Sequence, residues 1–307
     1  MKLLRMLSLL LVILSLAACS APELPQSTQP IDTGVDPDAW VTIPAGEFLY
    51  GQHEAETDVP YDYEIMVTHV TNAQYAAYLN QALADGTLKI SGEQVVGYYP
   101  GDAFSGKKHE VEISAGDWPH YPVNAKGTRI QYSGGQFQPL PGYENHPAVM
   151  VSWFGALAYC QAQGGSLPTE IEWEKAARGT ADNRAYPWGN FLERNQANYY
   201  SSSDIFEKVL GKGGDTTPVG FYNGQTFAGY ATLDGASPYG LYDMAGNAWQ
   251  WTAGITPGTH DRYLRGGSKL DYGYNLRLWT RNSVRPDYEG PSIGFRCARS
   301  GQGSTTE

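Results

Sequence analysis

The chain has few cysteines, few charged residues and fewer basic residues than acidic ones. Three cysteines stand in 307 residues, and 17% of the residues are Asp, Glu, Lys or Arg. Lys and Arg number 21 against 32 acids, which leaves a net charge of −11. That balance argues against nucleic acid as a partner, because phosphate contacts need clustered basic side chains. The glycine clusters Gly211-Lys-Gly-Gly214 and Arg265-Gly-Gly-Ser268 lack the Lys-Ser or Lys-Thr of a phosphate-binding loop. The six histidines, His53, His69, His109, His120, His146 and His260, show no metal-ligand spacing. Ser152 lacks the flanking glycines of a nucleophile elbow and reads as a helix cap.

Glycine (36), tyrosine (22) and tryptophan (8) are plentiful. The mixture points to a loop-rich globule with aromatic packing, and its length suits one large domain or two. Lys2 and Arg5 precede an apolar run from Leu7 to Leu16, too short to span a bilayer comfortably, and Leu16-Ala-Ala-Cys19 resembles a bacterial lipobox. The expectation is a signal peptide over residues 1–18, lipidation of Cys19 and a location in the bacterial cell envelope, lipid-anchored and facing outside the cytoplasm. An ordinary secretory leader with a chance cysteine is the alternative. Loss of Lys2 and Arg5 would take the net charge from −11 to −13. Residues 19–39, with four prolines after Cys19, read as a flexible tether. The folded domain is then expected over 40–299, with a disordered tail over 300–307.

Within the domain, Trp40 to Gly51 predicts a strand, a Pro-Ala-Gly turn and a second strand, and Asp62 to His69 a further strand. Thr71 and Gln74 stand at capping-box spacing ahead of a helix that closes on Gly86. Short alternating runs at Val95 to Tyr99, Glu110 to Ile113 and Thr128 to Tyr132 predict hairpins and ordered loops. Tyr98, Tyr99, Trp118 and Tyr121 among them suit either packing or a recognition surface. Ser152 opens a second helix that stops at Gly164-Gly165. Ser166-Leu-Pro-Thr-Glu-Ile-Glu-Trp-Glu-Lys-Ala-Ala-Arg-Gly179 encodes a third, with Thr169 and Glu172 as a capping box and Gly179 as its stop. Its apolar residues do not form one stripe, so burial on more than one side is expected. Trp188 to Gly235 reads as long loops that a hard cation could hold together.

Five blocks carry a family resemblance. His146-Pro-Ala-Val-Met-Val-Ser-Trp-Phe-Gly-Ala-Leu-Ala-Tyr-Cys160, Leu167 to Gly179, Tyr239-Gly-Leu-Tyr-Asp-Met-Ala-Gly-Asn-Ala-Trp-Gln-Trp-Thr252, Arg265-Gly-Gly-Ser268 and Gly294-Phe-Arg-Cys297 occur in this order. From about Trp40 to Arg299 the chain resembles the formylglycine-generating enzyme, or sulfatase-modifying factor, family. The resemblance implies an α+β domain of the variant C-type-lectin type with little regular structure. It also implies a disulfide between Cys160 and Cys297, with two buried free thiols as the alternative. Two calcium sites are implied: Asn198, Tyr199, Asp204 and Phe206 at the first, and Asp243, Gly246, Ala248 and Gln250 at the second. In the second, Gln250 stands where the family has Glu, and a polar turn without metal is the alternative for both.

The catalytic pair of the family is missing. Formylglycine-generating enzymes oxidise a substrate cysteine with O₂ at Cu(I) held by two thiolates, a soft metal on soft ligands. Here Asp271 stands where the first of those cysteines falls, and a second is absent from the shortened segment that follows. Copper-dependent formylglycine formation is therefore not expected, and no catalytic residue is assigned. What the resemblance leaves is a groove floor of Ser268, Asp271, Tyr272, Tyr274, Arg277 and Trp279, which suits a peptide, glycan or protein partner. Local packing of a Tyr-rich loop is the bland reading of the same residues. The sequence supports a binding or accessory module, with non-copper oxidation or scaffolding in an envelope complex as alternatives.

Overall fold

The computed structural model describes residues 30–180, 182–210 and 214–300. The expected signal peptide, Cys19 and the tail beyond Ser300 lie outside the described residues. The packed chain starts earlier than Trp40. Thr33 Oγ1 donates to the Val219 carbonyl at 2.9 Å, and Asn223 Nδ2 donates to the Thr33 carbonyl at 2.9 Å. Gln74 Nε2 reaches the Asp38 carboxylate at 2.6 Å. The described end of the predicted tether is thus fastened to the domain, because its polar groups find side-chain partners that composition alone cannot show.

Helix α1 (Asn72–Ala84) begins with the capping box of Thr71 and Gln74. Helix α2 (Trp153–Ala162) begins at Ser152, whose Oγ accepts from Gly155 N. Helix α3 (Glu170–Arg178) has the capping box of Thr169 and Glu172, and Gly179 at φ 76° ends it. Tyr75 and Tyr78 of α1 pack against Tyr159 of α2, with ring centroids 5.8 and 5.3 Å apart. Beside them a disulfide joins Cys160 to Cys297, with Cα atoms 5.3 Å apart and a sequence separation of 137. A loop of that length implies a restriction of the unfolded chain worth about 4 to 5 kcal/mol at the entropic limit.

Strand Tyr63–Met66 is the centre of a three-stranded sheet, flanked by Trp40–Ile43 and by Ala298–Ser300, so the beginning and end of the domain share one sheet. The expected strand Gly46–Tyr50 pairs elsewhere, with Ala55–Val59. A four-stranded sheet has the order Arg281–Val284, Arg262–Arg265, Trp249–Ile255 and Ile293–Gly294, the last pair being parallel. A third sheet is formed by Leu88–Ser91, Gln94–Tyr99 and Gly116–Pro122.

One expectation needs correction, and two readings that the sequence left open are decided. Glu110 to Ile113 is not a strand. The loops after Trp188 contain a six-residue helix, α4 (Ile205–Leu210), and a small hairpin of Thr226–Phe227 with Tyr230–Ala231. Of the two readings of the four aromatics, packing holds for three. Tyr121 is in the core and Tyr99 and Trp118 pack on Phe154, while Tyr98 remains 69% exposed.

Glu110 does other work. His260 is pinned between two carboxylates, with Nδ1 2.9 Å from Asp102 Oδ2 and Nε2 2.9 Å from Glu110 Oε1. Both nitrogens face acceptors, so the imidazolium form fits. Arg262 and Tyr99 also donate to Asp102, each at 2.6 Å. The hydrogen bonds to Glu110 and then Asp102 raise the His260 pKa above 6.5. The bond from His260 and the amides of Lys107 and Ser105 hold Glu110 down at about 2. A raised histidine pKa stabilises fully below about pH 6.5 and is lost as pH rises through its folded value. Hydrogen exchange over residues 102–113, corrected for intrinsic rate, is expected to accelerate as pH rises from about 6.5 to about 9. His260→Ala should remove that pH dependence.

Candidate binding groove

The groove floor is set by α3 and the Arg265-Gly-Gly-Ser turn. Arg265 is fully buried; Nη1 donates to Glu170 Oε2 at 3.0 Å and Nη2 to Glu174 Oε2 at 2.5 Å. Its guanidinium lies 4.8 Å from the Trp173 ring. Glu174 also accepts from Arg178 at 2.7 Å and from Gly51 N at 2.6 Å. Lys175 Nζ caps the Pro44 and Gly46 carbonyls at 2.6 and 2.7 Å. Helix α3 is therefore buried on several sides, as its scattered apolar residues predict. Gly266 is required at the turn: its φ is 93°, and a Cβ would meet Gln250 Nε2 at 2.9 Å and the Met244 carbonyl at 3.0 Å.

Beyond the turn, the position of the missing cysteine is locked by hydrogen bonds. Ser268 Oγ and N donate to Asp271 Oδ2 at 2.6 and 3.0 Å, and Asn275 Nδ2 donates to Asp271 Oδ1 at 2.7 Å. Neither His69 nor His260 bonds to Asp271: His69 Nε2 pairs with the Ala248 carbonyl, and His260 with Asp102 and Glu110. A 3₁₀ turn, Gly273–Leu276, follows. It buries Leu276 and leaves Tyr272 and Tyr274 64% and 63% exposed. Arg277 lies 4.8 Å from the Tyr274 ring and 5.9 Å from Trp279, and Arg178 is 5.7 Å from Trp279. The six expected groove residues thus share one short segment, 268–279, which meets α3 where Arg178 approaches Trp279.

The sequence reading missed the other half of this surface. Tyr186 OH donates to the Gly273 carbonyl at 3.0 Å, Tyr200 N donates to the Asp271 carbonyl at 2.9 Å, and the Tyr200 ring is 4.8 Å from Tyr272. Tyr186 stacks on Trp188 at 5.7 Å, and Phe191 is 81% exposed nearby in sequence. The only sequence signal was aromatics in a segment rich in small polar residues. Tyr199, expected as a calcium ligand, packs with the Leu276 cluster.

At both expected calcium positions the side-chain oxygens of Asp204 and Gln250 already carry hydrogen bonds. Asp204 accepts four hydrogen bonds, from Ser202, Tyr222, Phe206 N and Glu207 N, and so caps α4 with no lone pair to spare. Asn198 instead donates to the Asp215 carbonyl at 2.9 Å. The Asp215 side-chain carboxylate holds Lys269 at 3.1 Å as well as Arg129, two positive charges near the first expected site. At the second, Gln250 Oε1 accepts from Trp173 Nε1 at 2.8 Å and Arg296 Nε at 2.7 Å. Its amide nitrogen must then face the Asp243 carbonyl, at 3.0 Å. The Ala248 carbonyl is bonded to His69. Asp243 is left as one buried carboxyl, pushed up to about 6 by burial. Calcium takes six to eight oxygens, and the side chains of Asp204 and Gln250 have their acceptor sites taken.

This capped, glycine-turned α+β fold, with exposed aromatics on the segment after the turn, defines a sulfatase-modifying-factor-type domain. The profile of the sulfatase-modifying factor enzyme 1-like domain matches residues 26–301, and the chain belongs to that family. It is 30% identical over 294 residues to the formylglycine-generating enzyme of Bos taurus, covering 85% of this chain and 75% of that one. It is 31% identical over 285 residues to serine/threonine-protein kinase pkn1 of Chlamydia caviae, covering 84% of this chain but 37% of the kinase. The crystal structure of CarF is similar in fold, with a TM-score of 0.52 at 22% identity, covering 86% of this chain and 98% of that one.

The ligand geometry generates a direct expectation. A calcium ion at 100 times its dissociation constant would add about 2.7 kcal/mol of stability. Adding calcium or a chelator to the purified chain should instead shift the melting temperature by less than about 2 °C, against the several degrees such binding would produce.

Proposed function

We propose that this chain is an envelope lipoprotein whose sulfatase-modifying-factor domain is a non-copper binding or accessory module. One observation carries the reading: Asp271, at the position of the first catalytic cysteine, is fully hydrogen-bonded by Ser268 and Asn275. The two cysteines among the described residues are joined to each other. A soft metal would therefore find no thiolate pair at the groove. The surface around Tyr272 and Tyr274 takes an extended peptide or a protein segment, with aromatic faces for apolar side chains and Arg277 for an acceptor. The lipobox resemblance at Cys19 supports a lipid tie to the membrane, with the domain held outside the cytoplasm and residues 19–29 leading to its first fastened residues.

Selection of random displayed peptides on the full chain tests this reading. Enriched peptides are expected to bind about ten-fold more weakly to Tyr272→Ala/Tyr274→Ala, a loss of about 1.4 kcal/mol. Equal enrichment on the double variant, or none on either, would overturn it. So would conversion of a Cys-x-Pro-x-Arg peptide to formylglycine with copper and O₂, read by mass spectrometry.

A further inference from the structure

A second concave site lies away from the groove, where α1, α2 and the strand Gln94–Tyr99 meet. It is a cavity of about 510 Å³, open to solvent on one side. Tyr78, Gln81 and Asp85 reach it from α1 and its cap, Gln161 from α2, Tyr98 from the strand and His120 from the next strand.

His120 is the unusual member. It is 2% exposed, its Nδ1 has no hydrogen-bond partner, and it lines the cavity. The ring edge that meets the lining residue Gly97 is Cε1–Nε2, while the unpartnered Nδ1 is enclosed, so His120 carries hydrogen-bonding capacity that the protein itself leaves unused. Room for the ring is made by Gly97, also a lining residue, where a Cβ would come within 2.7 Å of His120 Cε1 and 2.5 Å of Leu88 Cδ2. Burial lowers the His120 pKa to about 4, so the ring is neutral at neutral pH and can both donate and accept.

The remaining groups narrow the ligand class. No Lys or Arg lines the cavity, which gives an anion no counter-charge. The Asp85 carboxylate is held at Oδ1 by Thr87, whose amide and hydroxyl donate at 2.9 and 2.5 Å, and it also bonds the Gln81 side chain. Two amides, a carboxylate, a neutral imidazole and a phenol provide alternating donors and acceptors around an alanine-lined floor of Ala82, Ala158 and Ala162. Tyr98, 69% exposed at the rim, offers a ring face. Vicinal hydroxyls need such alternation, and the C–H face of a pyranose needs such a ring. We infer that this cavity is a binding site for a neutral sugar of mono- or disaccharide size, separate from the groove and independent of the reading given for it.

Saturation-transfer NMR on the full chain tests the inference with maltose, cellobiose, lactose and diacetylchitobiose, and with inorganic phosphate and tetramethylammonium as charged probes. At least one sugar is expected to bind, with Tyr98→Ala and Gln161→Ala each weakening it about ten-fold, or about 1.4 kcal/mol. Both side chains are solvent-accessible, so these variants should fold, and Tyr272→Ala/Tyr274→Ala should leave sugar binding unchanged. No transfer to any sugar at about 10 mM, a weak-binding limit, would overturn the inference. Binding that ignores Tyr98 and Gln161, or selective binding of phosphate or tetramethylammonium, would overturn it too.

Discussion

One buried ionic cluster holds the domain's functional face in place. Arg265 and Arg178, both fully buried, share the Glu174 carboxylate, and Glu170 takes the other arm of Arg265. Such a pair contributes little net stability when whole, because desolvation offsets the attraction, but removing one partner strands a buried charge at a cost of about 3 to 5 kcal/mol. The cluster therefore acts mainly as a positional constraint. Arg265 opens the glycine turn, Glu174 belongs to α3 and fixes Gly51, and Arg178 reaches Trp279 at the groove. Three distant parts of the chain meet at one carboxylate.

The groove inherits its geometry from that constraint and its chemistry from a local substitution. With Asp271 in place of a thiol, the segment closes on itself through Ser268 and Asn275 and needs no metal to hold its shape. The same logic recurs at the expected calcium positions. Lys269 and Arg129 supply positive charge around Asp215, and Arg296 does so beside Gln250. Amide and guanidinium donors organise loops that a hard cation would otherwise cross-link.

Helices were legible in the sequence because their signals are local. Thr71 with Gln74, Ser152, and Thr169 with Glu172 lie within one turn of the groups they cap, and the capping bonds form as spaced. Strand pairing was not, since Tyr63–Met66 takes partners from both ends of the domain. Glu110 to Ile113 alternates like a strand, yet Glu110 answers to His260, 150 residues away. Helix α4 is too short for periodicity to reveal, and its cap, Asp204, carried a motif resemblance that pointed to a metal. At the groove, the motif exposed the 268–279 half, while Tyr186, Phe191 and Tyr200 had no spacing to tie them to it.

The most direct test of this account is hydrogen exchange across residues 265–279 in Glu174→Gln. If the shared carboxylate positions the groove, the variant loses about 3 to 5 kcal/mol of stability and exchange quickens in the turn and the 3₁₀ segment as well as in α3. Faster exchange confined to α3, with residues 266–279 protected as before, would contradict it.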